Sequence, residues 1–334
     1  MATILDVARE AKVSISTVSH VINRSRFVSE ETRGRVVHAV AALNYQPNAV
    51  ARSLRTKRTQ MIALVIPDIT NPYFPEVARG VQDAAEENNY AVVLCNTDRT
   101  LSQEVRLLKT LRQQRVEGII LNPSEVTRVD LQMLREAGIS VVLIGSQIDD
   151  PEFDLVMVDN VEGVYDAVEH LIALGHCRIG LVGGPRTTSS GLQRFQGYVR
   201  ALNAHEIPIE DDLITECAFT YDGGRECMKR LLALKPPTTA VFAANDVMAL
   251  GALIAIEDAG LKVPDHVSLV GFDDIPEASR TYPKLTTIAQ PKYQMGKEAA
   301  RLLFGRIKSD YSLPRQKVVL EHKLVVRNST APPK

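Results

Sequence analysis

The chain contains little cysteine, and its cysteines are not spaced for a metal site. It carries four in 334 residues, Cys95, Cys177, Cys217 and Cys227. None forms a Cys-x-x-Cys pair, and no histidine lies at metal-ligand spacing from them. The pattern favours buried, reduced thiols over a metal or redox site, so we expect no metal and no cofactor.

The sequence also lacks the segments that direct a protein to a membrane or out of the cell. No uninterrupted apolar run reaches the roughly 18 residues that a transmembrane helix requires. The N-terminus, Met-Ala-Thr-Ile-Leu-Asp, does not have the basic and then apolar stretches of a secretory signal. We therefore expect a cytoplasmic protein with no membrane partner.

Two motifs of enzymes are missing as well. A dinucleotide-binding enzyme carries Gly-x-Gly-x-x-Gly after its first strand, and an α/β-hydrolase carries a nucleophile elbow. Neither occurs, and Gly183-Gly184-Pro185 is too short for the first and contains a proline. We do not expect an enzyme.

What the chain does have is an uneven distribution of charge. Residues 1–60 carry ten Lys/Arg against four Asp/Glu, a balance of +6, whereas the other 274 residues carry 29 against 36, a balance of −7. The net charge of −1 therefore hides a basic head on an acidic body. Such a head is typical of a DNA-binding protein, because neutralisation of phosphates supplies most non-specific affinity for DNA.

The basic head has the pattern of a helix-turn-helix. Apolar residues recur at helical spacing in three short segments, and the turn at residues 11–14 makes the first two helices cross. Thr3 with Asp6, then Ser14, then Ser29 mark the helix starts. In the second helix Val18 and Val21 face inward. Its outward residues, Ile15, Ser16, Ser19 and His20, are candidates for base contacts in the major groove, although alone they would indicate only a solvated face.

A short segment after the head is a candidate hinge. Pro47 would end any helix that precedes it, and Asn48 can cap a short helix at residues 49–54. One or two turns are too short to be stable alone, so this helix would form only on DNA or against a second copy. Leu54 suits a wedge between base steps in the minor groove. The alternative is a plain linker.

From residue 61 onward, short apolar runs alternate with amphipathic helices. We predict strands at 61–66, 91–96, 118–122, 141–144, 155–158, 178–182, 240–244 and 267–272. We predict helices at 76–88, 101–114, 161–174, 191–204, 223–234 and 247–259. Apolar strands joined by helices indicate parallel sheets covered on both faces. Two such doubly wound α/β lobes would bind a ligand between them, at the carboxyl ends of the strands.

Polar and aromatic residues follow several of these strands. They suit a small polyhydroxylated ligand, which needs paired donors and acceptors and rings against its C–H faces. Each alone is more often a turn or cap residue, but their shared position at strand ends favours a binding site. They are Asn71, Tyr73, Phe74, Arg194, Phe219, Asn245, Asp273 and Gln290.

Three motifs together resemble the LacI/GalR family of bacterial transcription regulators, and within it the ribose-operon and purine repressors. They are Asp6-Val-Ala-x-x-Ala-x-Val-Ser-x-Ser-Thr-Val-Ser, Tyr45-x-Pro-Asn-x-x-Ala-Arg-Ser-Leu54 and Leu324-Val-Val-Arg-Asn-Ser-Thr330. The resemblance covers essentially the whole chain. It implies a homodimer on a palindromic operator. The DNA contacts that we expect are Thr3, Ile15, Ser16, Ser19, His20 and Asn23 of the head and Ala51, Leu54 and Arg55 of the hinge helix.

The resemblance also implies a domain plan. A helix-turn-helix domain would span residues 1–46, a hinge helix and linker 47–60, and a body similar to periplasmic sugar-binding proteins 61–334. We place the N-lobe at about 61–160 and 291–320 and the C-lobe at about 161–289 and 321–334. The chain would then cross between lobes near 160, 290 and 321.

The eight strand-end residues match positions that hold ribose in ribose-binding relatives, and Ser146 and Ser190 complete the expected site. Thr188 and Ser190 stand where purine-type members have an Arg-rich site, which weakens a purine assignment. Gly145-Ser146 replaces the Asp-Arg pair usual in ribose binders, which counts against ribose itself. We expect a repressor controlled allosterically by a small sugar. Ribose or a related pentose is the leading candidate for this effector. A purine or nucleoside effector is one alternative, and a sugar-binding protein that does not bind DNA is another.

Overall fold

The computed structural model describes residues 2–23, 25–46, 58–123, 128–145, 153–309 and 314–334. It divides into two compact units, Met1–Thr59 and Gln60–Lys334. In the described residues, no helix combines the length and apolarity that crossing a bilayer demands.

The N-terminal unit contains three helices, α1 (Ile4–Glu10), α2 (Ile15–Asn23) and α3 (Glu30–Ala42). The predicted starts are confirmed: the Thr3 and Ser29 side chains cap α1 and α3, and Ser14 Oγ accepts from the Thr17 amide at 3.1 Å. The helices bury a small apolar core of Val7, Ala8, Ala11, Val18, Val21, Val36 and Ala39.

The body contains two six-stranded sheets. The first has the order β11-β5-β4-β3-β1-β2 and is parallel throughout. Its strands are β1 (Met61–Ile66), β2 (Ala91–Asn96), β3 (Gly118–Leu121), β4 (Ser140–Ile144), β5 (Asp154–Val158) and β11 (Lys317–Leu320). The helices of this lobe, called the N-lobe below, are α4 (Tyr73–Glu87), α5 (Leu101–Gln113), α6 (Arg128–Glu136) and α11 (Lys292–Ser309).

The second sheet has the order β12-β10-β9-β8-β6-β7, and only β12 runs antiparallel to its neighbour. Its strands are β6 (Ile179–Gly183), β7 (Ile214–Glu216), β8 (Ala240–Ala243), β9 (Ser268–Asp273), β10 (Thr286–Ala289) and β12 (Lys323–Val325). The helices of this C-lobe are α7 (Asn160–Ala173), α8 (Ser189–Ala204), α9 (Tyr221–Leu232) and α10 (Asp246–Asp258), with short 3-10 turns at Asp211–Leu213 and Pro276–Ser279.

The eight predicted strands are confirmed to within one residue at each end. The run Met61–Ile66 is continuous and apolar because, apart from the half-buried Met61, it lies inside a parallel sheet and is buried on both faces. The edge strand β2 is less buried. The chain passes from the first sheet to the second after β5, back after β10, and to the second again after β11. Each lobe is therefore completed by a segment distant in sequence.

The expectation of four reduced thiols is wrong for one pair. Cys217, just after β7, and Cys227, on α9, form a disulfide with their Cα atoms 6.3 Å apart. The turn between this strand and its helix brings the two residues together, although they are ten apart in sequence. Cys95 is buried and Cys177 exposed, and both are free.

Candidate functional site

Helix α2 presents one apolar and one polar face. Val18 and Val21 are buried in the core, as predicted. On the other side Ile15, with 46% of its surface accessible, Ser16 and Asn23 are exposed, and Ser19 and His20 are half-buried. The face that the sequence predicts for base contacts is therefore accessible along the whole helix.

Polar atoms on this face are held by local hydrogen bonds. His20 Nδ1 lies 2.9 Å from Ser25 Oγ, and Asn23 Nδ2 donates to the Ser19 carbonyl at 2.7 Å. Ser16 Oγ lies 2.7 Å from Ser14 Oγ. Such bonds fix side-chain orientation before any partner binds, which lowers the entropy lost on binding.

Thr3, a predicted DNA contact, also caps helix α1. Its hydroxyl and backbone amide both donate to Asp6 Oδ2, at 2.7 and 2.9 Å, and the Asp6 amide returns a bond to Thr3 Oγ1. These bonds from Thr3 hold the pKa of Asp6 below its usual value. The predicted capping box is confirmed. Ala51, Leu54, Arg55 and, in the body, Ser146 lie outside the described residues.

The two lobes of the body enclose a cavity of about 260 Å³. Segments that follow the carboxyl ends of strands in both sheets line it, as expected for parallel α/β lobes. Nine of the ten predicted effector residues meet there: Asn71, Tyr73, Phe74, Ser190, Arg194, Phe219, Asn245, Asp273 and Gln290.

The charged centre of the cavity is the pair Arg194 and Asp273. Arg194 Nη2 lies 3.5 Å from Asp273 Oδ1, while its Nε donates to Asn160 Oδ1 at 3.1 Å and its Nη1 to the Ala244 carbonyl. Gln290 Nε2 donates to Asp273 Oδ1 at 2.7 Å. Burial raises the pKa of Asp273, and Arg194 opposes that shift. Together these groups offer donors and acceptors side by side, as a vicinal diol requires.

Backbone strain marks the same place. Asp273 has φ of 120° and Asp274 of 54°, both in the left-handed region that non-glycine residues avoid. Lys292 stabilises this conformation, because its buried ammonium donates to the carbonyls of Asp273 and Asp274 at 3.0 and 2.7 Å.

Aromatic rings supply the apolar walls. Tyr73 and Phe74 at the start of α4 pack edge to face with centroids 5.0 Å apart, and Phe219 approaches from the C-lobe. Asn71 positions this pair, because its Oδ1 accepts from the Tyr73 amide at 3.0 Å. Asn245 Oδ1 likewise accepts from the Met248 amide at 2.9 Å and caps α10.

Gly145 has a backbone conformation that favours glycine. This residue has φ of 72°, and a Cβ there would lie 2.8 Å from Asn122 Nδ2. The Asn122 amide donates to the Ile144 carbonyl at 2.7 Å and occupies that space. A side chain at position 145 would therefore adopt a strained backbone conformation and displace the Asn122 amide.

The cavity is also lined by six residues that the sequence did not predict: Pro67, Arg99, Asn122, Pro123, Thr187 and Ala218. Asn122 ends the predicted third strand, so its position at a strand end was the available signal. Arg99 follows β2 in the same way, within Thr97-Asp98-Arg99-Thr100, a polar loop that resembles an ordinary turn.

Two family models match the chain. One, described as periplasmic binding proteins and sugar binding domain of LacI family, matches residues 59–325, and the other, bacterial regulatory proteins of the lacI family, matches residues 3–48. The transcriptional repressor PurR of Pasteurella multocida is 40% identical over 331 residues, which are 98% of each chain.

Solved structures agree in fold. A LacI family regulator of Enterococcus faecium with bound ribose is 32% identical, covers 82% of this chain and 100% of its own, and has a TM-score of 0.75. The lac repressor dimer bound to operator and the anti-inducer ONPF is 29% identical, covers 99% of both chains, and has a TM-score of 0.88.

Proposed function

The chain belongs to the LacI family and is a transcriptional repressor with a ligand-binding body, and we propose that a small sugar in the interlobe cavity controls its affinity for operator DNA. The observation that carries this proposal is the cavity itself. Both lobes line it, with aromatic walls around an Arg194–Asp273 pair and a Gln290 amide.

Size and chemistry favour a monosaccharide. Sites for drug-sized ligands occupy about 300–1,000 Å³, and this cavity is smaller, at about 260 Å³. Rings beside paired hydrogen-bonding groups match the alternating C–H and O–H surfaces of a sugar. The ribose held by the Enterococcus faecium regulator supports the same class. A purine or nucleoside is the second candidate, because the rings also suit a planar base.

The DNA side of the proposal rests on the N-terminal unit. We assign half-site contacts to Thr3, Ile15, Ser16, Ser19, His20 and Asn23. Residues 47–60 form the proposed hinge segment, where Ala51, Leu54 and Arg55 complete the DNA contacts. A homodimer would place two heads on a palindromic operator, and the operator-bound lac repressor dimer supports this arrangement.

The proposed control of operator binding depends on how tightly the ligand binds each arrangement of the two lobes. A ligand that contacts both lobes stabilises one lobe arrangement over another, and it shifts operator affinity only if the two arrangements differ in their affinity for DNA. Coupling of about 1–3 kcal/mol changes operator affinity about 5- to 150-fold.

The experiment has two stages. Pentoses, hexoses, nucleosides and purines are first screened by thermal shift, because a ligand that binds the folded state raises the melting temperature. Compounds that bind are then added to the protein on its promoter DNA. The proposal predicts that a sugar binds and changes operator affinity in either direction. If only purines bind, the effector is the second candidate, a purine or nucleoside. Binding without any change in operator affinity would contradict the regulatory role.

A further inference from the structure

Arg99 lines the cavity but is not one of the proposed sugar contacts. It follows β2, the edge strand of the first sheet, and its side chain remains 29% exposed. Asp98 and Arg99 both adopt left-handed backbone conformations, with φ of 50° and 56°. Two consecutive residues in this region are costly, and the conformation directs Arg99 toward the opposite lobe.

The Arg99 guanidinium has only loose partners. Its Nη2 lies 3.5 Å from the Phe219 carbonyl oxygen and 3.7 Å from Asp68 Oδ2, at or beyond the limit of a hydrogen bond. The Phe219 ring centroid is 5.5 Å from its Cζ. Asp68 Oδ1 accepts from the amide and hydroxyl of Thr70 at 3.0 and 2.6 Å, and Oδ2 is the oxygen that faces Arg99. Burial lowers the pKa of Arg99 and Asp68 opposes that shift, so this cation is partly desolvated and its ion pair with Asp68 is a long one, at 3.7 Å.

The other cavity arginine is different. Arg194 is fixed by Asn160, Ala244 and Asp273. Among the described residues that line the cavity, Arg99, Arg194 and Asp273 are the charged ones, which makes two cations and one anion. Of the two cations, Arg99 is the one whose carboxylate partner, Asp68, lies outside this lining and 3.7 Å away.

We propose that Arg99 binds an anionic group of the effector, so that the natural ligand is a small sugar acid or sugar phosphate rather than a neutral sugar. This inference rests on the proposed function, since the hydroxyl groups would still contact Arg194, Asp273 and Gln290. A carboxylate or a phosphate matches the planar fork of an arginine and accepts two parallel hydrogen bonds from it. The aromatic ring of Phe219 holds that fork at the cavity wall.

Calorimetry with matched ligand series tests the proposal. One series is ribose, ribonate and ribose 5-phosphate, and the other is glucose, glucuronate and glucose 6-phosphate. The acid and phosphate members separate the two anionic groups. Wild type should bind at least one charged member about ten- to a hundredfold more tightly than its neutral parent. Arg99→Gln should remove that preference, because it should lower affinity for the charged member far more than for the neutral parent.

Two further variants distinguish binding of an anionic group by Arg99 from a general charge effect and from a structural role. Arg230→Gln removes an equivalent charge from an exposed pair with Glu226 and should bind like wild type. Arg99→Lys keeps the charge without the fork and should retain part of the preference, which a purely structural role would not produce. Equal binding of neutral and charged members by wild type, or equal losses for both in Arg99→Gln, would overturn the proposal while the sugar-controlled repressor stands. If no member of either series binds, the same comparison is made with a sugar that binds in the thermal-shift screen, and the absence of any sugar that binds would contradict both the acidic ligand and the sugar effector.

Discussion

Arg194 and Asp273 lie 3.5 Å apart, Nη2 to Oδ1, and both side chains are more than nine-tenths buried. The groups that fix them, Asn160, Ala244 and Gln290, are all in or next to the C-lobe. The C-lobe therefore presents a rigid donor and acceptor pair, and the N-lobe contributes the rings of Tyr73 and Phe74. A ligand that uses both needs the lobes held together, which is the basis of the predictions below.

Asp273→Asn should weaken sugar binding about tenfold or more, because hydrogen bonds to a charged group contribute about 1.5–3 kcal/mol. Asparagine keeps the shape, so operator affinity without ligand should not change. Calorimetry and operator binding measure the two quantities. Asp212→Asn, at an exposed site of the C-lobe, is the control. Unchanged sugar affinity in Asp273→Asn would remove this carboxylate from the site.

Gly184→Ala should also weaken sugar binding, through Phe219. A Cβ at position 184 would lie 2.1 Å from Phe219 Cζ, so the ring must leave its place in the cavity wall. Gly305→Ala is the matched control, since a Cβ there meets nothing within 4 Å. In α11 that change should stabilise the protein by about 0.5–1 kcal/mol. Ligand affinity and thermal melting distinguish the two variants, and equal affinities would show that Phe219 contributes nothing.

Leu54→Ala should lower operator affinity strongly and leave sugar binding intact, if Leu54 acts as a wedge between base steps. Ile209→Ala shortens another apolar side chain, one that is 39% exposed in the C-lobe, and should leave operator binding unchanged. Gel-shift titrations with promoter DNA measure the difference. Wild-type operator affinity in Leu54→Ala would make the segment a plain linker.

His176 should make folding stability depend on pH. Its Nδ1 lies 3.0 Å from Thr239 Oγ1, and its Nε2 lies 2.9 Å from the Ala331 carbonyl oxygen. Burial lowers its pKa below the ordinary 6.5. As the pH falls below about 6.5, the unfolded chain takes up the proton first, so the free energy of unfolding falls until the folded pKa is passed.

His176→Gln should therefore reduce the dependence of the melting temperature on pH between about pH 7.5 and pH 5.5, because glutamine does not titrate there, while the half-buried His170, whose pKa is also lowered, keeps part of the slope. The variant should also melt lower at neutral pH, since it loses buried hydrogen bonds worth about 1–3 kcal/mol. His38→Gln, at an exposed site of the N-terminal unit, should keep the wild-type slope. An unchanged slope in His176→Gln would assign the pH dependence to other groups.

Much of the fold is predictable because its determinants are local. Apolar runs such as Met61–Ile66 predict buried parallel strands, and Thr3 with Asp6 predicts the start of α1. The positions of Asn71, Asp273 and Gln290 after strands predicted their convergence, because parallel strands bring their carboxyl ends to one edge.

The rest depends on contacts between distant segments. Arg99 lies in the loop after β2, where residues 98 and 99 adopt left-handed conformations, and it contacts Phe219 of the other lobe. The close approach of Gly145 to the Asn122 amide depends on where Asn122 lies, and the Cys217–Cys227 pairing depends on how β7 meets α9. No local pattern around these residues specifies such distances.

The most direct test of the central claim is operator affinity of the full-length protein, titrated at several salt concentrations with and without a saturating sugar from the binding screen. The account predicts a change of about 5- to 150-fold, and in Asp273→Asn the same change should need about tenfold or more sugar while basal operator binding persists. An operator affinity that stays the same at every salt concentration, with the cavity demonstrably occupied, would contradict it.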